Sequence, residues 1–308
     1  MPLPVLGAQR FLIDLAVEQP RQSISEIDAA RLVFDMVGRP LGQMNPRTRG
    51  GQLGQPLLEL EGASRAGLFH DVSLSVGAGE VVGLAGLAGA GRSELARAIY
   101  GLYALDRGTM RVDGHRWRPR RSRDALRAGL VYVPEERKRQ GFVLDHPLER
   151  AIGIGFSDQL TRWGMIRGGK ERARVRTAIE RYAIRATGPK QLVAALSGGN
   201  QQKTLLARWL ERDPKVVILD EPTRGVDVGA KSQIHALIDQ LAARGKAILF
   251  ISSDLGEIVG MSDRILVMNR GTIETELRGS EMTAPNVILA ASGLYARAAD
   301  QQSERRPA

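Results

Sequence analysis

Apolar and polar positions change period along this chain in a regular order. Pro56-Leu57-Leu58-Glu59-Leu60 alternates with a period of two, the pattern of a half-buried strand. Glu80-Val81-Val82-Gly83-Leu84-Ala85 is a strand-like apolar run that leads into a Gly-rich stretch, and Ser93 to Tyr100 then reads as a helix. Ala128 to Val133, Val216 to Asp220 and Ala247 to Ser252 are further short apolar runs that read as buried strands. Ile234, Leu237, Ile238 and Leu241 fall at i, i+3, i+4 and i+7, which predicts a helix over 230–243. Residues 142–195 read mostly as helix, most clearly from Lys170 to Tyr182, and Arg264 to Thr275 reads as a hairpin. Strands that alternate with helices predict an α/β fold with a mainly parallel, covered sheet. Positions 40–56 are rich in Gly, Pro, Gln and Asn and read as loop. The expected organisation is therefore a leader or linker over 1–55, a domain over 56–295 with a helical part at about 142–200, and a polar, disordered tail over 296–308.

Composition narrows the function classes. With 308 residues, 43% of them hydrophobic, the chain can build one large domain or two small ones. It has no cysteine, which excludes disulfides and thiolate metal sites. No apolar run approaches the ~20 residues that span a bilayer. Arg10 and Asp14 interrupt Met1 to Pro20, so a signal-peptide core is not expected there. Work at a membrane would then run through partners. The net charge of +10 admits nucleic acid or an anionic surface as a partner. The densest basic cluster, His115 to Arg123, follows a hairpin-like stretch, Gly108 to Gly114, and carries one Trp. A nucleic-acid face needs a continuous basic surface with aromatic platforms, so the cluster reads as a solvated loop.

Three stretches carry candidate chemistry. Gly86-Leu87-Ala88-Gly89-Ala90-Gly91-Arg92-Ser93 has the spacing of a phosphate-binding loop, in which glycines let backbone N–H groups approach phosphate oxygens at a helix N-terminus. Ser93 is placed to put its hydroxyl on Mg²⁺, and Arg92 stands where such loops have Lys. Arg keeps the charge, but its planar fork does not reproduce a compact ammonium. Asp220 and Glu221 follow four aliphatic residues and precede Pro222. Asp220 is a candidate for Mg²⁺, and Glu221 for the general base toward an attacking water. Leu196-Ser197-Gly198-Gly199-Asn200-Gln201-Gln202-Lys203 reads as a helix start with Ser197 as N-cap.

Taken together, these strings resemble an ATP-binding cassette. GLAGAGRSEL, YVPEERKRQG, LSGGNQQK, ILDEPTRGVDVGAK, ISSDLGEI and GMSDRILVMNRG are similar to the C-terminal cassette of the tandem ATP-binding subunits of bacterial monosaccharide importers of the ribose, galactose and xylose type. The resemblance covers roughly residues 25–293. It implies a P-loop NTPase fold with a RecA-like parallel core, an antiparallel β edge subdomain and a helical subdomain. It implies ATP and Mg²⁺ as cofactors. It also implies that Ser197, Gly198, Gly199 and Gln201 close over ATP held by a second cassette, and that Gly225-Val226-Asp227 crosses the interface between the two. The implied partners are that cassette, a transmembrane permease and, indirectly, a periplasmic sugar-binding protein. Nucleic acid is not among them. The implied location is the cytoplasmic face of the inner membrane.

Departures from a generic cassette ATPase sharpen the resemblance. A cassette offers His to the γ-phosphate after the strand ending at Ser252; here Ser253 stands there. The run Val133 to Lys138 holds no Gln, and no clear aromatic marks an adenine platform, Phe69 being the nearest candidate. In the resembled family the second cassette commonly has Arg in the phosphate loop and lacks the switch His. Residues 25–38 (SEIDAARLVFDMVG) echo 280–293 (SEMTAPNVILAASG) at an offset of 255 residues. The echo is either two unrelated amphipathic helices or the tail of a preceding cassette. Two further readings stay open: a soluble cassette acting on ribosomes or DNA, and a non-catalytic module that binds nucleotide.

Overall fold

The computed structural model describes residues 54–295 apart from 120, 142, 143 and 164. The expected leader, the first copy of the internal echo and the C-terminal tail lie outside the described residues. In chain order the strands are β1 (Pro56–Arg65), β2 (Phe69–Gly77), β3 (Val81–Gly86), β4 (Arg107–Val112), β5 (His115–Arg116), β6 (Leu130–Val133), β7 (Thr161–Arg162), β8 (Met165–Ile166), β9 (Val216–Asp220), β10 (Ala247–Ile251), β11 (Arg264–Asn269) and β12 (Thr272–Arg278). The helices are α1 (Arg92–Tyr100), α2 (Ser122–Arg127), α3 (Leu148–Gly153), α4 (Gly168–Arg181), α5 (Gly198–Leu210), α6 (Val228–Ala243), α7 (Leu255–Met261) and α8 (Ala284–Ala291).

The central sheet has the order β12-β11-β3-β10-β9-β6. From β11 to β6 every neighbour is parallel, and β12 closes one edge as an antiparallel hairpin partner. A second, antiparallel sheet runs β2-β1-β4-β5. This is the expected α/β arrangement, a parallel core with an antiparallel companion. The core strands are buried on both faces, so their apolar residues divide by parity. Val81, Val217, Leu219, Ile248 and Phe250 join the helices α3 to α8 in one apolar cluster. Val82, Leu84, Val216, Ile218, Leu249 and Ile251 join α1 and the antiparallel sheet in the other. The period of two is thus hidden in the sequence because both phases are apolar. At the carboxyl ends of β3, β9 and β10 the chain leaves the core, which is where open α/β sheets hold their ligands.

Two expectations need correction. The segment 142–195 is less helical than its pattern suggests: α3 stops at Gly153, a short 3₁₀ turn and the β7–β8 hairpin follow, and only α4 is long. Just beyond the end of α3 a Cβ at Gly155 would sit 2.1 Å from the Arg208 carbonyl oxygen, so the chain passes directly against the backbone of α5. The basic stretch 115–123 is not one loop, since it supplies β5 and the start of α2. Its Trp117 is buried and donates from Nε1 to the Ile99 carbonyl at 2.9 Å, so it offers no stacking platform.

Close packing of β3 against the helices generates a test. A Cβ at Gly83 would meet Ser262 Oγ at 2.3 Å and Ile258 Cγ1 at 3.1 Å. Gly83→Ala is expected to destabilise the domain by about 1–3 kcal/mol, read as a lower denaturant midpoint with an unchanged slope.

Candidate nucleotide site

The phosphate-loop sequence spans the turn from β3 to α1. Gly86 has φ +150° and a Cβ there would lie 2.5 Å from the Met268 carbonyl oxygen; Gly91 has φ +98° and would approach the Leu68 carbonyl oxygen at 2.9 Å. Only glycine fits this path. Gly91 is also the N-cap of α1 and supplies no side-chain cap, so the first N–H groups of that helix keep their capacity for an outside acceptor.

Asp220, at the end of β9, is fully buried. Ser93 Oγ donates to its Oδ1 at 3.1 Å and the Tyr132 hydroxyl to its Oδ2 at 2.8 Å. Burial pushes the Asp220 carboxyl above its ordinary pKa, against those two bonds and the nearby charges of Arg97 and Arg92. The same burial raises the Tyr132 hydroxyl, so it stays a proton donor at neutral pH. Ser93 and Asp220 form a pair of hard oxygen donors, the chemistry that suits a small divalent cation completed by phosphate and water. Among the described residues no cluster of three or more His, Cys, Asp or Glu could hold a metal by itself.

Glu221 adopts φ +50°, a left-handed conformation that costs about 1–3 kcal/mol for a non-glycine residue. Its N–H donates to the Ile251 carbonyl at 2.9 Å, which pins the turn to the end of β10. Ser253 Oγ donates to Glu221 Oε2 at 3.1 Å. Burial raises the Glu221 pKa; the Ser253 bond and the Arg92 charge oppose it. A raised carboxylate is a stronger base. Arg92 itself turns to β10, with Nη1 donating to the Ser252 carbonyl at 3.2 Å. The structure therefore brings Arg92, Ser93, Asp220, Glu221 and Ser253 together.

The second predicted cluster lies elsewhere. Ser197 caps α5, its Oγ accepting from the Asn200 backbone N–H at 3.4 Å and also from the Asn200 side-chain amide at 2.9 Å. Ser197 is exposed and Gly198 half-exposed, while Gly199 is buried where a Cβ would meet Ala230 Cβ at 2.5 Å. Gln201 is 5% exposed and donates to the Val193 carbonyl at 3.1 Å, so its side chain braces the domain interior. Asp227 caps α6 through Ala230 N. Beside Gly198, Arg137 donates to the carbonyls of Arg224 at 2.7 Å and Gly225 at 3.2 Å, and Arg224 reaches back to pair with Glu135.

Phe69 is 2% exposed and packs in the core, so it is not a base platform. A cleft of about 740 Å³ next to Gly89 is instead rimmed by Arg65, Leu68, His70, Asp106 and Arg270. Sequence reasoning also missed Glu257, which is 1% exposed in α7. Its carboxylate accepts from Thr223 Oγ1 at 2.7 Å and Ser252 Oγ at 2.7 Å, with His235 Nε2 at 2.9 Å and Lys231 Nζ at 3.1 Å. Burial favours the neutral acid, but the bonds from His235, Thr223 and Ser252 and the charge of Lys231 outweigh it and bring Glu257 down to about 2.

The fold and the placement of the loop and carboxylates at the strand ends are those of a P-loop cassette. The sequence profile of the ABC transporter family matches residues 69–224, and the chain belongs to that family. It is 47% identical over 273 residues to ribose import ATP-binding protein RbsA 1 of Streptomyces avermitilis, covering 89% of this chain and 52% of that protein. It is 46% identical to ribose import ATP-binding protein RbsA of Rhodococcus jostii, covering 87% and 53%. The chain thus spans about half the length of the curated relatives it matches. Among solved structures, the ATP-binding cassette MJ0796, a dimer in a post-hydrolysis state with ADP and Pi, superposes with a TM-score of 0.63 at 19% identity, over 72% of this chain and 98% of that one. CbiO1 of Clostridium perfringens, part of the ABC transporter complex cbiONQ, gives 0.64 at 22% identity, over 81% and 99%.

The Glu257 cluster predicts a pH signature. A carboxyl whose folded pKa is depressed adds stability above its ordinary value of about 4.3 and loses it as pH falls through its folded value. Glu257→Gln is expected to cost about 1–3 kcal/mol at pH 7. Denaturant melts should show the gap to wild type narrowing as pH falls from about 4.3 toward about 2.

Proposed function

We propose that this chain is the second ATP-binding cassette of a sugar importer and that it binds and hydrolyses MgATP with a partner cassette. The observation that carries the reading is the convergence of Ser93, Asp220 and Glu221 beside a glycine-built turn at a helix N-terminus. The backbone N–H groups of Gly86, Leu87, Ala88, Gly89, Ala90, Gly91, Arg92 and Ser93 would meet the phosphates. Ser93 and Asp220 would hold Mg²⁺, which when bound neutralises charge on the β- and γ-phosphates. Tyr132 keeps Asp220 in place by occupying its second oxygen. Glu221 accepts the proton of the attacking water, and Ser253 fixes which oxygen does so.

The exposed Ser197 and half-exposed Gly198 at the start of α5, backed by the buried Gly199, supply the surface that closes on ATP held by the partner. Gln201 supports that surface from within. Among the described residues no helix is long and apolar enough to cross a membrane. In keeping with the importer relatives, the chain would sit on the cytoplasmic face through a permease that takes its sugar from a periplasmic binding protein. The names of the relatives point to ribose or a related monosaccharide.

Arg92 in place of Lys and Ser253 in place of His favour slow turnover at this chain's own site, most of the work falling to the site built on the first cassette. Two measurements check this. Glu221→Gln in the isolated chain should lower its own ATP turnover about 100-fold or more. The same substitution in a transporter reassembled with a first cassette and a permease should leave most turnover intact. Loss of all turnover there would argue against the division of labour.

A further inference from the structure

The antiparallel sheet carries a cleft of about 500 Å³ between the turn 101–106 that follows α1 and the segment 116–119 at β5. That is the size of a small-ligand site. Its walls offer two kinds of surface. Tyr103 and Leu105 are half-buried and pack, with the buried Met110 and Trp117, on the apolar cluster beneath. The bond from Trp117 Nε1 to the Ile99 carbonyl fixes that base. Arg107, Arg116 and Arg118 line the same cleft and are exposed.

These arginines lack counter-charges. Among the described residues none of the three guanidinium groups has an ion pair or a hydrogen bond. The acid that lines the cleft, Asp106, is already spent. Its Oδ1 accepts from Arg65 Nη1 at 2.9 Å and its Oδ2 from the Ala66 N–H at 2.7 Å. Glu61 of β1 is engaged by Thr109 Oγ1 at 3.3 Å. Arg116 lies on the edge strand β5, directly opposite Arg111 of β4. Arg111 has Glu59 across from it on β1, whereas Arg116 has no second strand beside it. Like charges directly opposite each other weaken a sheet. A local conflict that the fold does not need is a mark of a functional position.

We propose that this cleft binds a small phosphate monoester with a flat or apolar body. A guanidinium fork matches two oxygens of one phosphate group. A phosphate monoester carries about −1.5 to −2 charges at pH 7, so several unpaired guanidinium groups suit it better than a carboxylate. Leu105 gives the attached body an apolar contact, and Tyr103 gives it a ring. A nucleic-acid strand would need a continuous basic face instead. The site is distinct from the phosphate loop, since none of residues 86–93 lines it, although Asp106 and Arg107 also border the cleft beside Gly89.

The test is titration calorimetry on the full chain with phenyl phosphate as probe, run with and without saturating ADP and Mg²⁺. Phenyl phosphate should bind about 5-fold or more tightly than inorganic phosphate, equally well in both conditions. Arg116→Ser should weaken the probe about 10-fold. Tyr103→Ser should bring phenyl phosphate and inorganic phosphate to within about two-fold of each other. Arg123→Ser removes the same charge from α2, outside the cleft, and should leave the affinity unchanged. If Tyr103→Ser lowers the melting temperature, Arg118→Ser decides, and must weaken the probe as Arg116→Ser does. Equal weakening by Arg123→Ser and Arg116→Ser reveals a diffuse positive surface and overturns the proposal. Loss of binding when ADP and Mg²⁺ are present assigns the probe to the nucleotide site and overturns it too, as does the absence of binding.

Discussion

The arrangement depends on one buried carboxylate. Asp220 sits at the end of β9 with no exposure to solvent, a placement that costs several kcal/mol unless its lone pairs are used. Both oxygens are used: one accepts from Ser93 at the start of α1, the other from Tyr132 at the end region of β6. Three elements of the core are therefore held in register by the demands of a single acid group. The phosphate loop lies between β3 and α1, so fixing Ser93 also fixes the end of that loop. Removal of either donor leaves a buried oxygen unpaired, which is worse than never having had the pair.

A second carboxylate does comparable work one layer further out. Glu257 gathers the turn after Glu221, the end of β10 and the first half of α6. Glu221 is held in a strained left-handed conformation between these anchored segments. Strain of that kind persists only where the surroundings over-determine it. The Thr223 and Ser252 bonds, together with the Glu221 N–H bonded to the Ile251 carbonyl, are those surroundings.

Much of this was legible in the sequence. The strand and helix alternation, the glycine spacing of residues 86–93 and the Asp220-Glu221 pair after an aliphatic run all carry local signals, and the structure places them where an α/β sheet opens. What was not legible depends on long-range neighbours. Glu257 reads as an ordinary acidic residue near a helix start, since its partners come from residues 223, 231, 235 and 252. Tyr132 carried a faint signal, a hydroxyl in an otherwise aliphatic strand, and only the pairing of β6 with β9 gives it meaning. Gln201 was assigned outward because its string is specific, but helical phase turns it inward. The helix expected over 142–195 breaks off at Gly153, and the close pass of Gly155 against α5 that follows depends on a long-range neighbour with no trace in local propensity.

The parity of β3 has a consequence for how such a molecule can change. Val81 faces one apolar cluster and Val82 the other, with Gly83 lodged against Ser262 between them. A slip of one residue would exchange the two interiors and drive every side chain into the wrong company. The strand is therefore proofread from both sides by shape, not by the chemistry of the loop that it carries. The scaffold resists a side chain at Gly86 or Gly91 of that loop, but at Arg92 the side chain leaves toward the end of β10 and does not enter either interior. The frame fixes where the loop sits without fixing which charge stands at position 92.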